Sequence, residues 1–308
     1  MNRFAKFAWG VTAWNVLNIL WGAFVRASGS GAGCGSHWPT CNGEVLPTPE
    51  SIHTVIEFTH RAMSGVALLL VLVLLIWGWR SYGKGDPIRV GVTGSAVFIL
   101  IEAGLGAGLV LLKLVGDDSS VLRAIYIALH LLNTFILLTF LSLTAWWASG
   151  GSPITLKNKG HLPLLFGIGI FGVTLIGMSG AITALGDTLF PAESLAHGLE
   201  QDRDPNAHFL VQLRVYHPII AVLFSGYTLT LVGYLRNKFN GTPRKLTILL
   251  GTVVVTQLAM GVINLLLLAP IATQLIHLFI ADMVWISYIL LAASILSIDE
   301  KPLTEETA

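Results

Sequence analysis

Long apolar runs separated by short polar segments dominate this chain. A membrane-spanning helix needs about 20 mostly apolar residues. Eight runs reach this length, near 7–26, 52–80, 90–112, 120–148, 161–184, 207–235, 246–268 and 271–298. The runs are continuously apolar rather than alternating, which excludes a β-barrel. The pattern therefore predicts an all-α, polytopic membrane protein with eight transmembrane helices.

Composition supports this interpretation. Hydrophobic residues make up 54% of the chain and charged residues only 11%, and the mean hydropathy is +0.74. A soluble domain carries about a quarter charged residues, so most of this chain is expected to lie in lipid. The net charge of +1 gives no reason to predict a nucleic-acid partner.

The distribution of Lys and Arg predicts the orientation of the spans. With the N-terminus inside, the inner segments receive twelve of these residues, including Lys301, and the outer segments receive six. The positive-inside rule then places both termini in the cytoplasm. We expect a multi-pass protein of the cell membrane.

The third and seventh spans indicate an internal duplication. Aligning Gly106 in LIEAGLGAGLVLL with Gly261 in VTQLAMGVINLLLL also aligns Glu102 with Gln257, at an offset of 155. Repeats of this kind are common in membrane proteins. A four-helix unit has an even number of spans, so both copies share one orientation about an axis along the membrane normal. The expected halves are two pseudo-symmetric four-helix bundles, residues 1–150 and 151–308.

Four histidines lie at one depth in the predicted membrane. His60, His130, His217 and His277 fall early in the second, fourth, sixth and eighth spans, which all run in the same direction. They therefore form one layer towards the outer face, with one pair in each half. Two facing neutral imidazoles can hold a heme iron. Hydrogen bonding between helices is the alternative for a single histidine, but four matched positions favour two heme sites.

Glu57 distinguishes the two predicted sites. It lies three residues before His60, so both side chains share a helix face. A carboxylate within a membrane is costly and usually functional. The alternative is an ion pair at the outer boundary with Arg61 or Arg123. The matching position before His217 is Arg214, so one pocket has an acid–base group and the other has a cation.

Other polar residues leave alternatives open. Glu102 and Gln257 can be buried contacts between helices, and Asn133 and Asp282 can be partners of the nearby histidines. Three arginines at the outer ends of the histidine spans can bind heme propionates or simply anchor the helices at the interface. They are Arg61, Arg123 and Arg214.

The two cysteines lie in AGCGSHWPTCNG, in the predicted outer loop between the first two spans. In an oxidising compartment, Cys34 and Cys41 can close a small disulfide loop. This bond would be either a structural staple or a redox-active pair. The spacing is not Cys-x-x-Cys, which favours the structural role.

Four short motifs together resemble the heme A synthase family. They are IEFTHR in the second span, ALHLLN in the fourth, VYHP in the sixth and LIHL in the eighth. The cysteine pair resembles the Gram-positive, Bacillus-like type. Each motif is weak alone, but their order, depth and duplication are specific, and the resemblance covers all eight spans.

The resemblance implies conversion of heme O to heme A for terminal oxidases. The C8 methyl group of the porphyrin would become a formyl group through two hydroxylations and loss of water. The substrate site would lie in the N-terminal half, with Glu57, His60 and His130 as catalytic residues. Heme b would lie in the C-terminal half, bound by His217 and His277, so that all four histidines ligate heme iron.

The resemblance also implies partners for the reaction. They are heme O as substrate, the protoheme farnesyltransferase that makes heme O, membrane lipid, and an unidentified electron donor for which a quinol is the candidate. From the residues alone, a diheme b-type cytochrome explains the histidines equally well, but it does not explain Glu57. A transporter built from repeats ranks last, because its polar residues would lie near the midplane.

Overall fold

The computed structural model describes residues 1–48 and 51–297, and this part of the chain is all-α. Its helices are α1 (Arg3–Ala27), α2 (Ile52–Ser81), α3 (Pro87–Leu111), α4 (Val121–Ala148), α5 (Leu162–Leu189), α6 (Leu195–Arg203), α7 (Phe209–Arg214), α8 (Tyr216–Leu235), α9 (Thr242–Leu266) and α10 (Ile271–Leu296). Eight segments are long and apolar enough to cross a membrane, and α7 and α8 together form the sixth. The predicted all-α protein with eight spans is confirmed. The predicted end of the last span at 298 and Lys301 lie outside the described residues.

Polar caps determine where several spans begin. A capping side chain accepts a hydrogen bond from a backbone N–H in the first turn, which would otherwise lack a partner. Such caps precede α1 to α4 and are Asn2, Ser51, Asp86 and Ser120. Pro87 follows one of them at the first helical position, where its missing N–H loses no helical bond. Because these residues lie at the edges of the apolar runs, the predicted starts fall within a few residues of the observed ones.

The helices pack as two closed groups joined through four of their members. In the first group α1 packs on α2 and α4, and α3 packs between α2 and α4. In the second group α5 packs on α8 and α10, and α9 packs between α8 and α10. The groups meet where α1 and α4 contact α5 and α10. Accordingly α10 is the most buried span. In its most apolar stretch 67% of the residues are buried, compared with 17% in the corresponding stretch of α9.

Specific side chains join the two groups. The rings of Phe135 and Trp285 stack with centroids 4.5 Å apart, and Trp285 Nε1 donates to the Phe135 carbonyl at 2.7 Å. Near the C-terminal end of α1, Arg26 donates to the Ala184 carbonyl at 2.6 Å and to Gln274 Oε1 at 2.9 Å. These contacts connect α1 and α4 to α5 and α10. The functional division at residue 150 stays a prediction.

The sixth span is interrupted where the sequence predicts one continuous helix. α7 ends at Arg214 and α8 begins at Tyr216. Pro218 lacks a backbone N–H, and its ring clashes with the carbonyl four residues earlier, which belongs to Arg214. The break therefore lies about one turn before Pro218, where Pro218 disrupts the helical hydrogen bonding. Val215 at the break keeps α-helical dihedral angles, so α7 and α8 still form one span.

The long outer loops have structure of their own. A disulfide joins Cys34 to Cys41 in the first loop, and both residues are buried. The second loop, around 185–206, contains the short helix α6. Both loops return to the ends of the histidine helices, so they lie on the same side as the histidine layer.

Candidate functional site

The two C-terminal histidines face each other. His217 lies in the first turn of α8 and His277 in the second turn of α10, with ring centroids 6.5 Å apart and ring planes at 90°. An imidazole nitrogen lies about 2 Å from a bound metal and about 1 Å from its own ring centre, so one iron between two imidazoles separates the centroids by about 6 Å. The geometry fits a heme iron between these rings. The ligand role itself stays a prediction.

The two N-terminal histidines lie on two helices of the first group. His60 is on α2 and His130 on α4, and both residues are partly exposed. Their pairing around one heme stays a prediction. Nδ1 of His60 is buried and has no hydrogen-bond partner among the described residues. A buried donor or acceptor of this kind requires an explanation. The missing partner of Nδ1 is explained if the His60 ring is positioned to bind a ligand rather than another part of the protein.

Glycines on neighbouring helices make room for three of the imidazoles. A Cβ at Gly22 on α1 would lie 2.9 Å from Cε1 of His60, and one at Gly180 on α5 would lie 2.9 Å from Cε1 of His217. A Cβ at Gly261 on α9 would lie 3.2 Å from the same atom of His277. These contacts are tighter than ordinary carbon packing of about 3.5–4.0 Å. The glycines therefore allow the histidine rings to lie against helix backbones.

Glu102 contacts a predicted ligand, a role that the sequence pattern did not reveal. Its Oε1 lies 3.3 Å from Nδ1 of His130, within ion-pair distance, although that nitrogen has no hydrogen-bond partner among the described residues. Thr134 and Asn133, one turn further along α4, donate hydrogen bonds to its two oxygens. The alignment of Glu102 with Gln257 was visible in the sequence. Only the rotation of α3 against α4 shows that the carboxylate meets the histidine.

The C-terminal pair has neutral polar neighbours instead. Ser179 Oγ lies 3.1 Å from Nδ1 of His217, and Gln257 Nε2 lies 3.2 Å from Nε2 of His277. Gln257 and Glu102 therefore each contact the histidine on the last helix of their half. The contacts differ in the ring nitrogen, which is Nε2 of His277 for Gln257 and Nδ1 of His130 for Glu102.

Glu57 holds the disulfide loop. Its Oε2 accepts a hydrogen bond from the backbone N–H of Cys34 at 2.8 Å, and its Oε1 accepts from Arg61 Nε at 3.2 Å. Arg61 also donates to the carbonyls of His37 and Thr40 in the same loop. The ion pair with Arg61 was the alternative considered for this carboxylate. The catalytic role of Glu57 stays a prediction.

Arg214 performs a similar task in the other half. It is buried and forms ion pairs with Asp202 at 2.9 Å and Asp187 at 3.2 Å, and it donates to Gln201 Oε1 at 3.0 Å. Asp202 and Gln201 belong to α6, so this arginine connects α6 to α5 and α7. Glu57 and Arg214 therefore hold different segments: Glu57 holds the disulfide loop, and Arg214 holds α6.

The remaining sequence candidates have varied surroundings. Arg123 donates to the carbonyls of Gly116 and Asp118 and so supports the turn before α4. Asn133 reaches His130 only through Glu102. Asp282 on α10 is completely buried, and neither of its oxygens has a hydrogen-bond partner in the described part of the chain. Asp282 therefore forms no hydrogen bond with His277.

This fold and this site define a multi-pass membrane protein with four histidines on four of its spans, two of which face each other. Residues 5–289 match the COX15-CtaA family, described as "Cytochrome oxidase assembly protein". The chain therefore belongs to this family, the heme A synthase family of enzymes, and the resemblance seen in the four motifs is confirmed.

Individual relatives carry two different names. A Thermus thermophilus protein named "Protoheme IX farnesyltransferase" is 48% identical over 297 residues, which is 96% of this chain but 49% of the relative. A "Heme A synthase" of Exiguobacterium sibiricum is 29% identical over 235 residues, 74% of each chain. A "Heme A synthase" of Halalkalibacterium halodurans is 36% identical over 129 residues, 41% of this chain and 42% of the relative. The chain thus spans about half the length of the Thermus relatives it matches.

Proposed function

We propose that this protein is a heme A synthase that oxidises the C8 methyl group of heme O to a formyl group. The observation that carries the proposal is the facing pair of His217 and His277 within a chain that matches the heme A synthase family from residue 5 to 289. Two relatives named "Heme A synthase" give further support. The heme A formed would serve terminal oxidases.

The N-terminal half is assigned the substrate. His60 and His130 hold the heme that is changed, and Glu102 orients His130 through the 3.3 Å contact with Nδ1. Glu57 and Arg61 hold the disulfide loop over the outer end of α2, which limits the access of water to this site. Glu57 is also the carboxylate proposed to move protons near the substrate.

The C-terminal half is assigned a heme b that stays bound. His217 and His277 hold it, and Ser179 fixes the His217 ring through its contact with Nδ1. The bound hemes supply the iron redox chemistry that oxidation of a methyl group requires, which protein side chains cannot provide. The protein binds and orients the macrocycles. The oxidation would consume activated oxygen together with electrons from a donor, for which a quinol is the candidate.

The proposed cellular setting follows from the charge distribution. The excess of Lys and Arg on one side of the spans places both termini in the cytoplasm and the histidine layer towards the outer face of the cell membrane. In that orientation the Cys34–Cys41 disulfide lies in the outer, oxidising compartment.

A protein that supplies heme O is the proposed partner. The Thermus relative is named for farnesyl transfer to protoheme IX, and its sequence extends well beyond the part that matches this chain. A farnesylated protoheme is the substrate proposed here, and it is too apolar to cross water readily. We therefore propose direct contact between this chain and a protoheme farnesyltransferase.

Heme extraction tests the proposed activity. The full chain is expressed with a protoheme farnesyltransferase in cells that lack their own heme A synthase, and the extracted hemes are separated by chromatography. We expect heme A in these cells and none after His60→Ala or His130→Ala, while heme b remains in the purified variants. A diheme b-type cytochrome, the rival function, would yield heme b and no heme A with the native chain.

A further inference from the structure

We propose that Glu102 is a positioning residue for the substrate heme, and that its charge makes the two heme sites electronically unequal. The carboxylate beside Nδ1 of His130 would orient that imidazole and strengthen its other nitrogen as an iron ligand. The proposal rests on the proposed function in one respect, since it takes His130 to be a heme ligand.

Polar side chains of α4 surround the Glu102 carboxylate. Its Oε1 lies 3.3 Å from Nδ1 of His130 and accepts from Thr134 Oγ1 at 2.5 Å. Its Oε2 accepts from Asn133 Nδ2 at 2.5 Å, and the same amide also donates to the Phe98 carbonyl at 2.9 Å. A charge within the membrane is costly unless such partners surround it. Three side chains of α4 therefore support one carboxylate of α3.

The second half lacks the charge and also the groups that would support it. Gln257 replaces Glu102, and the residues three and four after His277 are Ile280 and Ala281, where the first half has Asn133 and Thr134. Gln257 contacts the histidine through its amide nitrogen, and its Oε1 is buried without a partner in the described residues. The carboxylate and its two donors therefore occur together in one half and are absent together from the other.

This difference has a chemical consequence. A carboxylate beside Nδ1 of a ligating histidine favours the tautomer with its proton on that nitrogen and raises the basicity of the ring, leaving Nε2 for the metal. A more basic ligand stabilises ferric iron, and hydrogen bonding around ligands is one way in which proteins set heme potentials. A neutral amide adds no negative charge. We therefore expect the N-terminal heme to have a lower midpoint potential than it would with glutamine at this position.

Glu102→Gln tests the proposal, because it preserves the shape of the side chain and copies the residue of the other half. The full-length variant is purified from cells that make heme O, and both hemes are titrated potentiometrically. We expect the midpoint potential of the N-terminal heme to rise by about 59 mV. For one electron, this is a tenfold fall in the ferric-to-ferrous ratio at a given potential. The heme b potential should not change. Glu102→Asp retains the charge and should restore much of the native potential.

Several results would overturn the proposal. An unchanged N-terminal potential in Glu102→Gln would do so, as would equal shifts of both hemes, which would indicate general loosening. If Glu102→Gln retains too little heme, Asn133→Leu removes one donor to the carboxylate, and an unchanged potential there would also contradict the idea. If the native chain makes no heme A but the selective shift is observed, the proposed function fails while the role of Glu102 stands.

Discussion

Gly180 offers a direct test of the histidine geometry, because a single methyl group there would displace a predicted ligand. A Cβ at this position would lie 2.9 Å from Cε1 and 3.3 Å from Nδ1 of His217. Carbon atoms in contact lie about 3.5–4.0 Å apart. In Gly180→Ala the imidazole must therefore move by at least about half an ångström, away from its contact with Ser179.

The expected loss of heme affinity follows from this displacement. Metal–ligand distances tolerate changes of only about 0.2 Å, so the shifted ring no longer fits the iron. Overpacking of a tight site costs about 1–3 kcal/mol, and each 1.4 kcal/mol is a factor of ten in binding. We expect heme b to bind about 10- to 100-fold more weakly in Gly180→Ala.

The assay is the ratio of heme b to protein after purification, measured by pyridine hemochrome absorbance. Gly167→Ala is the matched control, because Gly167 lies on the same helix and a Cβ there would have no neighbour within 4 Å. Alanine favours helix over glycine by about 1 kcal/mol, so neither change should weaken α5 itself. The control should retain its heme.

Two results would refute this reasoning. One is a Gly180→Ala protein with the native amount of heme b and an unshifted spectrum, which would show that His217 is not held as a ligand against α5. The other is equal loss of heme from Gly167→Ala, which would show a general effect of alanine in this helix.

Three further predictions concern the remaining site residues. Glu57→Ala should keep both hemes but lower heme A formation about 100-fold, the effect of removing a positioned proton carrier; normal heme A in extracts would contradict this role. His277→Ala should remove heme b and leave the N-terminal heme, as seen in extracted hemes; loss of both equally would contradict the division into two sites. Arg214→Gln should expose α6 to limited proteolysis, because it removes the buried cation that pairs with the partly exposed carboxylates of Asp187 and Asp202. The exposed Arg203 provides the control Arg203→Gln, and equal cleavage of both variants would argue against this role.

Much of the fold could be predicted from local pattern. The eight spans follow from the apolar runs, and their starts follow from capping residues at the ends of those runs. The break before Pro218 was also accessible, since proline in a helix affects the carbonyl four residues earlier. The motif VYHP drew attention to His217, and the span was predicted as one continuous helix. The helix α6 is short and polar, so it produced no comparable signal.

The site was predicted less completely, because its polar contacts join helices that are distant in sequence. The depth of His217 and His277 follows from counting along two helices, but their facing rings depend on how α8 and α10 pack. Glu102 was recognised by its match to Gln257 without its contact to His130. The ion pair of Glu57 was considered, but its bond to the Cys34 backbone depends on how the outer loop folds back.

The sequence by itself determined the membrane class and the number of spans, and it predicted a single layer of histidines and an internal duplication. Each depends on periodicity and spacing along the chain, which hydrophobicity and helix geometry convert directly into depth. Only the tertiary structure decided which side chains meet across helices: Glu102 with His130, Gln257 with His277, and Arg214 with the acids of α5 and α6. These pairings depend on the rotation and tilt of each helix, which are set by the combined packing of all its neighbours and not by any one segment.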